Sequence, residues 1–464
     1  MDKYSLKIIN FINKIKDSDE LIKYDLSKKI NINHNLINQI KNIIHEVLES
    51  SKKLNDKNDK NDNKVNKINI LNKLHDNDYP LLFLFFREYN KLDSSNIISI
   101  DNYKNFLKWF NLNQHKIDYD EILDKIKSNQ KLIDLFNMAF QKNKEREKLH
   151  EILHKNSFVG LDTLHYSEIT DLQHIQIENN DSIINIYADI KYDKNKLNNS
   201  IKNILNIIAI MYKINKEIVK SKQNKLYLNI LLGKQKKYIY ETDTMTPLNI
   251  NSGSSLRGNF VNIWREEELE KVLFHEIQHF YNCDFHILDN GYNELSNFIN
   301  QKFSINGDDK VNESINEVMA IIIHMIYQSI KLNIDLSIIY SYEMYFTIFQ
   351  ISKIIVYYNG DSYDDLFKKN ENSITFKQTT SVLSYYVIKG LFLFHINETL
   401  DFLHSNQLKC SDKDNIMKLK LYIEKILSNP DNNLIDIVNS IIPVVKELDK
   451  NRFIWRTMRM SAIS

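Results

Sequence analysis

The stretch Val272–Tyr281 reads VLFHEIQHFY. Its two histidines, His275 and His279, are four residues apart, so on an α-helix both imidazoles lie on one face and can reach the same metal ion. Glu276 directly follows the first histidine, where a carboxylate can hold and deprotonate a metal-bound water. Apolar residues flank the motif on both sides. The stretch therefore predicts a buried zinc-binding helix, around which the rest of the fold is arranged.

A second copy of the same five-residue pattern weakens any argument from the motif alone. Residues His150–His154 read HEILH, but Glu147, Lys148 and Lys155 surround them. Charged neighbours are disfavoured beside the ligands of a buried active site. We therefore interpret HEILH as an exposed coincidence, and we place the site at His275–His279.

A catalytic zinc site also needs a third protein ligand and an open position for water. Downstream, Val311–Ala320 reads VNESINEVMA and carries Glu313 and Glu317, four residues apart on one face of a predicted helix. Glu313 follows His279 by 34 residues, which is room for a loop and a returning antiparallel helix. The helix is otherwise strongly apolar, so carboxylates on it need a reason.

These motifs resemble the gluzincin peptidases, the thermolysin-like group that holds zinc with two histidines and one glutamate. The resemblance implies that the pair Asn312-Glu313 supplies the third ligand and that Glu317 supports the first histidine. The pair Asn316-Glu317, followed by Ala320, matches the register of aminopeptidases in the same group. We favour Glu313 as the ligand, with Glu317 as the alternative.

Another zinc-peptidase group, the metzincins, fits less well. Its pattern requires a histidine six residues after the second motif histidine, and this chain has Phe285 there. Asp284 misses that position by one residue and stays a minor alternative for the third ligand.

A wider resemblance runs through much of the chain after Asn251. The string FVNIWREEELEKVLFHEIQHFYNCDF, the E-x-x-x-E helix and the later TTSVLSYYVIKG look like uncharacterised metallopeptidase-like proteins of giant DNA viruses. The composition, rich in Ile, Asn and Lys, agrees with an A/T-rich genome. The resemblance implies a viral protein, located in the host cytoplasm or the virion.

The predicted mechanism is hydrolysis of peptide bonds in a protein or peptide substrate, with Zn²⁺ as cofactor and Glu276 as general base. A further donor should stabilise the oxyanion, and Tyr385, Tyr386 and His395 are candidates, of which we choose Tyr386. Asn259–Trp264, just before the zinc helix, is either an edge strand that pairs with extended substrate or a plain structural strand.

Composition narrows the remaining classes of function. The 61 basic and 60 acidic residues give a net charge of +1, which offers no general attraction to nucleic acid or to an acidic membrane. The two cysteines, Cys283 and Cys410, form no disulfide framework, and the N-terminus lacks an apolar signal core. We expect an intracellular protein that is not secreted; the oligomeric state stays open.

The expected fold is α+β and predominantly helical. Residues 1–150 show helical spacing and predict an N-terminal helical domain. Residues 151–265 predict an α/β subdomain with strands at Ser182–Ile190, Lys225–Leu232, Lys237–Glu241 and Asn259–Trp264, and a helix at Lys196–Ile214. Residues 266–464 predict a helical catalytic subdomain.

Two competing hypotheses belong to other classes. The first is a catalytically inactive, zincin-like structural or virion-associated protein. Structural zinc sites are usually closed by four ligands with several cysteines, and only Cys283 lies near the motif, which favours an open site. The second is a nucleotide enzyme, suggested by Gly253–Gly258 (GSSLRG). We reject it because Asn259-Phe260 stand where a phosphate loop needs Lys-Ser or Lys-Thr.

Overall fold

The fold is known from a computed structural model. It describes residues 2–18, 21, 23–57, 66–71, 147–222, 224–240, 242–284, 291–307, 309–368, 372–409 and 413–463. The chain is α+β and predominantly helical, as the sequence predicts. The three-part division at residues 150 and 265 stays a prediction, and much of its first part, residues 72–146, lies outside the described residues.

A six-stranded mixed sheet forms one layer of the molecule. Its order is β1-β2-β3-β4-β6-β5; β3, β4 and β6 run parallel, while the pairs β1/β2, β2/β3 and β5/β6 are antiparallel. A small parallel pair, β7 and β8, lies elsewhere. The strands are β1 Asn66–Leu71, β2 Leu172–Glu178, β3 Ser182–Asp189, β4 Leu226–Leu231, β5 Gly253–Leu256, β6 Phe260–Ile263, β7 Ser304–Gly307 and β8 Thr375–Gln378.

Helices make up most of the remaining described chain. Several begin at an aspartate that caps free backbone N–H groups: Asp193 Oδ1, for example, accepts from Lys196 N at 2.8 Å. The α-helices are α1 Lys3–Lys16, α2 Asn35–Lys57, α3 Leu161–Ile169, α4 Lys194–Ile214, α5 Pro247–Ile250, α6 Leu269–Phe280, α7 Tyr292–Lys302, α8 Asn312–Leu332, α9 Leu336–Tyr357, α10 Lys389–Phe394, α11 Ile396–Ser405, α12 Lys413–Ser428, α13 Asn432–Lys446 and α14 Phe453–Arg456. Residues 147–154 are also helical.

The two faces of the sheet are covered differently, because successive side chains of a strand point to opposite faces. Ile186, Ile230 and Ile263 face the main apolar core, which α6, α8 and α9 share with the N-terminal helices α1 and α2. Their chain neighbours Tyr187, Leu231 and Trp264 face a smaller apolar cluster, formed with the 147–154 helix and α3. The zinc-motif helix and the second H-E-x-x-H copy therefore lie on opposite sides of the sheet.

A buried segment near the end of the chain crosses the main core. Residues 458–463 form neither helix nor strand, yet none is more than 4% exposed. Buried carboxylates satisfy their backbone. Glu268 Oε1 accepts from the N–H groups of Met460 and Ser461 at 2.9 and 2.7 Å, and Glu343 accepts from the next two N–H groups at 2.9 and 3.1 Å. We call residues 458–463 the core-crossing segment.

Two sequence predictions about strands are confirmed: Ser182–Ile190 contains β3 and Lys225–Leu232 contains β4. The helix predicted at Lys196–Ile214 is α4. The strand predicted at Lys237–Glu241 is wrong, since within its described residues only an isolated bridge joins Tyr238 to Thr457.

Two further predictions need correction. Asn259–Trp264 contains a strand, β6, but it is not an edge strand, because β4 pairs with one side of it and β5 with the other. Among the described strands, the free edge at this end of the sheet belongs to β5, within the stretch that we had considered as a phosphate loop. The N-terminal region is not purely helical either, since β1 extends the sheet beyond β2. Among the described residues, no helix is both long enough and apolar enough to span a bilayer.

Candidate metal centre

The helix α6 carries the first two candidate ligands. His275 and His279 lie one turn apart on it, and their Nε2 atoms are 3.2 Å from each other. Leu273, Phe274 and Ile277 on the same helix are fully buried and fix it in the main core. Both imidazoles therefore project from a rigid element, which is what a preorganised metal site requires.

The first turn of α8 supplies the third candidate ligand. Glu313 Oε2 lies 3.3 Å from His275 Nε2 and 3.3 Å from His279 Nε2. Two ligands of a tetrahedral zinc ion, bound at about 2.0–2.1 Å, are roughly 3.3–3.4 Å apart. Glu313 Oε2 is also buried and accepts no hydrogen bond. Spacing, atom type and this unsatisfied oxygen all fit a tetrahedral metal ion with one open position.

The electrostatics of the three groups also favour a cation between them. Burial raises the pKa of Glu313, but the neighbouring histidines outweigh burial and hold it well below its ordinary value. Burial lowers the pKa of His279, yet Asp284 and Glu313 raise it well above the ordinary value. The site is thus a negative environment that attracts positive charge, and a metal ion meets that demand without protonating the histidines.

Each histidine is held from behind by a carboxylate. Glu317 Oε2 lies 2.9 Å from His275 Nδ1, and its other oxygen accepts from Lys271 at 2.5 Å. Asp284 Oδ2 lies 2.8 Å from His279 Nδ1. A carboxylate at Nδ1 leaves Nε2 free to bind metal, and at His279 the hydrogen bond to Asp284 also fixes the orientation of the ring. Glu317 and the minor alternative Asp284 therefore lie behind the histidines, and of the three carboxylates Glu313 is the one placed where it could bind a metal together with both of them.

Three polar contacts tie this arrangement to its surroundings. Asn312 donates to Asp284 Oδ2 at 3.1 Å, and Arg257 donates to the other oxygen at 3.0 Å. Asn316 donates to the carbonyl of His275 at 3.0 Å, which joins α8 to α6. Both asparagines of the sequence VNESINE thus have a structural role beside the two glutamates.

Glu276 lies against the edge strand β5. Its side chain is buried, and burial raises its pKa, although His275 and His279 oppose the rise. The backbone of Gly253 is so close that a Cβ there would lie 2.6 Å from Glu276 Oε1. The side chain of the candidate general base therefore projects from α6 against the edge strand β5.

The structure corrects the prediction for Tyr386. Its hydroxyl donates to the carbonyl of Met458 at 2.7 Å and so holds the core-crossing segment. Tyr385 faces the site instead, with its ring 6.2 Å from that of His275. Burial, followed by Glu313 and Glu276, raises its pKa well above the ordinary value. His395 lies elsewhere, at the junction of α10 and α11, with Nδ1 3.6 Å from Glu398.

Tyr385 belongs to a π-helical segment, Leu383–Ile388, which continues into α10. Asp309 anchors the start of this segment, because its Oδ2 accepts from Ser384 Oγ at 2.7 Å. Single π-turns are frequent at functional sites, and their wider winding changes which neighbouring side chain faces inward. Sequence reasoning named Tyr385 as a candidate but had no signal for the π-turn.

The search for similar proteins gave no further guide. No protein-family model, no curated protein and no solved structure matches the chain.

Proposed function

We propose that the protein is a zinc-dependent metallopeptidase. The observation that carries this proposal is the set of three buried donor atoms, His275 Nε2, His279 Nε2 and Glu313 Oε2, at mutual distances of 3.2–3.3 Å. Three protein ligands with one open position are typical of catalytic zinc, whereas structural zinc is usually closed by four. The adjacent Glu276 supplies the acid–base group that hydrolysis needs.

The chemistry divides between metal and side chains. When bound, zinc supplies a Lewis acid and makes water acidic enough to attack a carbonyl near neutral pH. Glu276 accepts the proton of the attacking water and returns it to the leaving amine. Tyr385 stays protonated because its pKa is raised, so its hydroxyl can donate to the oxyanion. Glu317 and Asp284 keep the two histidines in the orientation that binding requires.

The free edge of β5 supports a peptide as the substrate. Within the part of the chain that the structure describes, β5 pairs with β6 on one side only, and Gly253 of this strand lies against Glu276. An extended peptide that adds to β5 by backbone hydrogen bonds would pass directly beside the general base. This edge takes the role of a substrate-pairing strand, which was one of the two alternatives that the sequence left open for Asn259–Trp264. An intracellular, viral setting remains a prediction from composition and resemblance.

The decisive experiment replaces Glu276 by glutamine. We expect Glu276→Gln to bind zinc as the wild type does, because no metal ligand changes, and to lose about 10²–10⁴-fold in the rate of peptide hydrolysis. Zinc content and cleavage of a peptide library are measured on the same preparations. The matched control is Glu151→Gln, the corresponding glutamate of the second H-E-x-x-H copy, which we expect to keep full activity.

Two results would contradict the proposal in different ways. Wild-type protein that holds no more zinc per chain than His279→Ala does would exclude the metal site itself. Wild-type protein with full zinc but no cleavage of any peptide would favour the alternative, a catalytically inactive zincin-like structural or virion-associated protein.

A further inference from the structure

The second H-E-x-x-H helix is firmly anchored on the far side of the sheet. Leu149 and Leu153 are almost completely buried in the smaller apolar cluster, against Tyr187, Leu231 and Trp264 of the sheet. This packing fixes the rotation of the 147–154 helix. His150 and His154, four residues apart, therefore share one face and stack with ring centroids 5.4 Å apart.

A carboxylate from the next helix joins the two histidines. Glu168, in the last turn of α3, has its Oε1 3.7 Å from His154 Nε2. The ligand atoms of His150, His154 and Glu168 all lie within 4.8 Å of one another. Two imidazole nitrogens and one carboxylate oxygen form the same donor set as the main site, which suits zinc and similar transition-metal ions.

The spacing is looser than in the main site, but the side chains have room to close on an ion. The side chains of His154 and Glu168 are 50% and 39% exposed, so rotation of either requires no repacking of the core. Water from the surrounding solvent can fill the remaining coordination positions.

We propose that His150, His154 and Glu168 form a second divalent-metal site that ties the 147–154 helix to α3. The site binds metal but performs no hydrolysis, because its glutamate, Glu151, is exposed and pairs with Lys155 at 2.5 Å. The proposal does not depend on the proposed peptidase activity.

The position of this second site links it to the free edge of β5, beside Glu276. Directly after the 147–154 helix, Asn156 donates to Ser254 Oγ of β5 at 2.6 Å. Ser254 lies between Gly253 and Ser255 on the strand that flanks Glu276. A metal ion that holds the 147–154 helix against α3 thus also steadies the polar contact on the free edge of the sheet.

The test uses the full chain with the main site removed by His279→Ala. Zinc is titrated by calorimetry into this variant, and we expect one remaining class of site. We expect the double variant His154→Ala/His279→Ala to lose that class, with affinity at least tenfold weaker. The control is His165→Ala/His279→Ala, which removes an exposed histidine of α3 outside the group and should bind as His279→Ala does.

A further double variant, which changes the carboxylate instead of a histidine, and a stability measurement guard against misfolding. Glu168→Gln/His279→Ala should also lose the remaining site. Zinc should raise the melting temperature of His279→Ala, but not that of Glu168→Gln/His279→Ala or of His154→Ala/His279→Ala. If His279→Ala binds no zinc, or if all three double variants bind zinc equally, the proposal fails. His154 and Glu168 are then an ordinary ion pair only.

Discussion

Asp284 illustrates how much one side chain outside the ligand set can contribute. One of its oxygens accepts from His279 Nδ1 and the other from Arg257, and the whole carboxylate is buried. We expect Asp284→Asn to weaken zinc binding about 10–100-fold while His279 remains in place. Competition with a chelator measures the affinity. Asp181→Asn, at an exposed position, is the control, and equal affinities for the two variants would contradict a supporting role for Asp284.

A different residue gives a pH dependence. His324 of α8 is buried, and burial lowers its pKa to about 3, with Lys331 and Lys271 adding to the effect. In the unfolded chain this histidine takes up a proton below about pH 6.5, whereas the folded chain keeps it neutral. Acid therefore favours the unfolded state, so the stability from this group is complete above pH 6.5 and falls as the pH drops toward 3.

Between pH 7 and pH 5 the free energy of unfolding of His279→Ala should fall by about 2 kcal/mol more than that of the double variant His279→Ala/His324→Leu. Urea unfolding measures it. Both proteins carry His279→Ala, so that release of metal from the main site does not contribute. Identical losses in the two proteins would show that His324 is not held neutral.

The candidate residues that the sequence located most directly are those whose relative positions follow from local spacing. One helix alone determines the relative positions of His275, Glu276 and His279. Glu313 and Glu317 shared a face of α8 and differed by one turn, so only the packing of α8 on α6 shows that Glu313 meets both histidines. The adjacent Tyr385 and Tyr386 were separable only through the π-turn, which local spacing does not reveal.

At the scale of elements, β5 is the part of the site that the sequence missed. It has four residues, GSSL, without β-branched side chains, so nothing in its composition predicts a strand. The equally short but more apolar β6 was predicted. Whether a strand is at the edge or in the interior is a property of the strand order, which depends on distant parts of the chain. The strand β1 was not predicted for the same reason, because its partner β2 lies about a hundred residues later.

Gly253 of β5 offers a test of the close approach to Glu276. We expect Gly253→Ala to lower peptide hydrolysis by about 10²-fold, because the new Cβ must displace the Glu276 carboxylate. Zinc content should stay unchanged, since neither histidine is touched. Leu256→Ala, at an exposed position on the opposite face of the same strand, is the control. Full activity of Gly253→Ala would show that the position of Glu276 tolerates this displacement.

At the scale of the whole molecule, buried ion pairs connect the metal helix to the rest of the core. Lys237 pairs with Glu268 at 2.8 Å, and Lys271 pairs with Glu317 at 2.5 Å; none of the four side chains is more than 2% exposed. Glu268 also binds the core-crossing segment. Glu266, Glu267 and Glu268 lie directly before α6, which begins at Leu269.

We expect Glu268→Gln to lower the free energy of unfolding by about 3–5 kcal/mol, because it leaves Lys237 charged and buried without its partner. Chemical denaturation measures the loss. Glu294→Gln, at an exposed position in the first turn of α7, should change stability by no more than about 0.5 kcal/mol. A loss below about 1 kcal/mol for Glu268→Gln would mean that the ion pair does not hold the core together.

The core-crossing segment also sets the order in which a newly made chain can mature. A ribosome adds residues from the N-terminal side at roughly 5–20 per second, so residues 458–463 emerge after every element that they bind. Until then the carboxylates of Glu268 and Glu343 lack the backbone donors that satisfy them in the folded chain. The nascent chain therefore cannot close the core behind the histidines before residues 458–463 have left the ribosome.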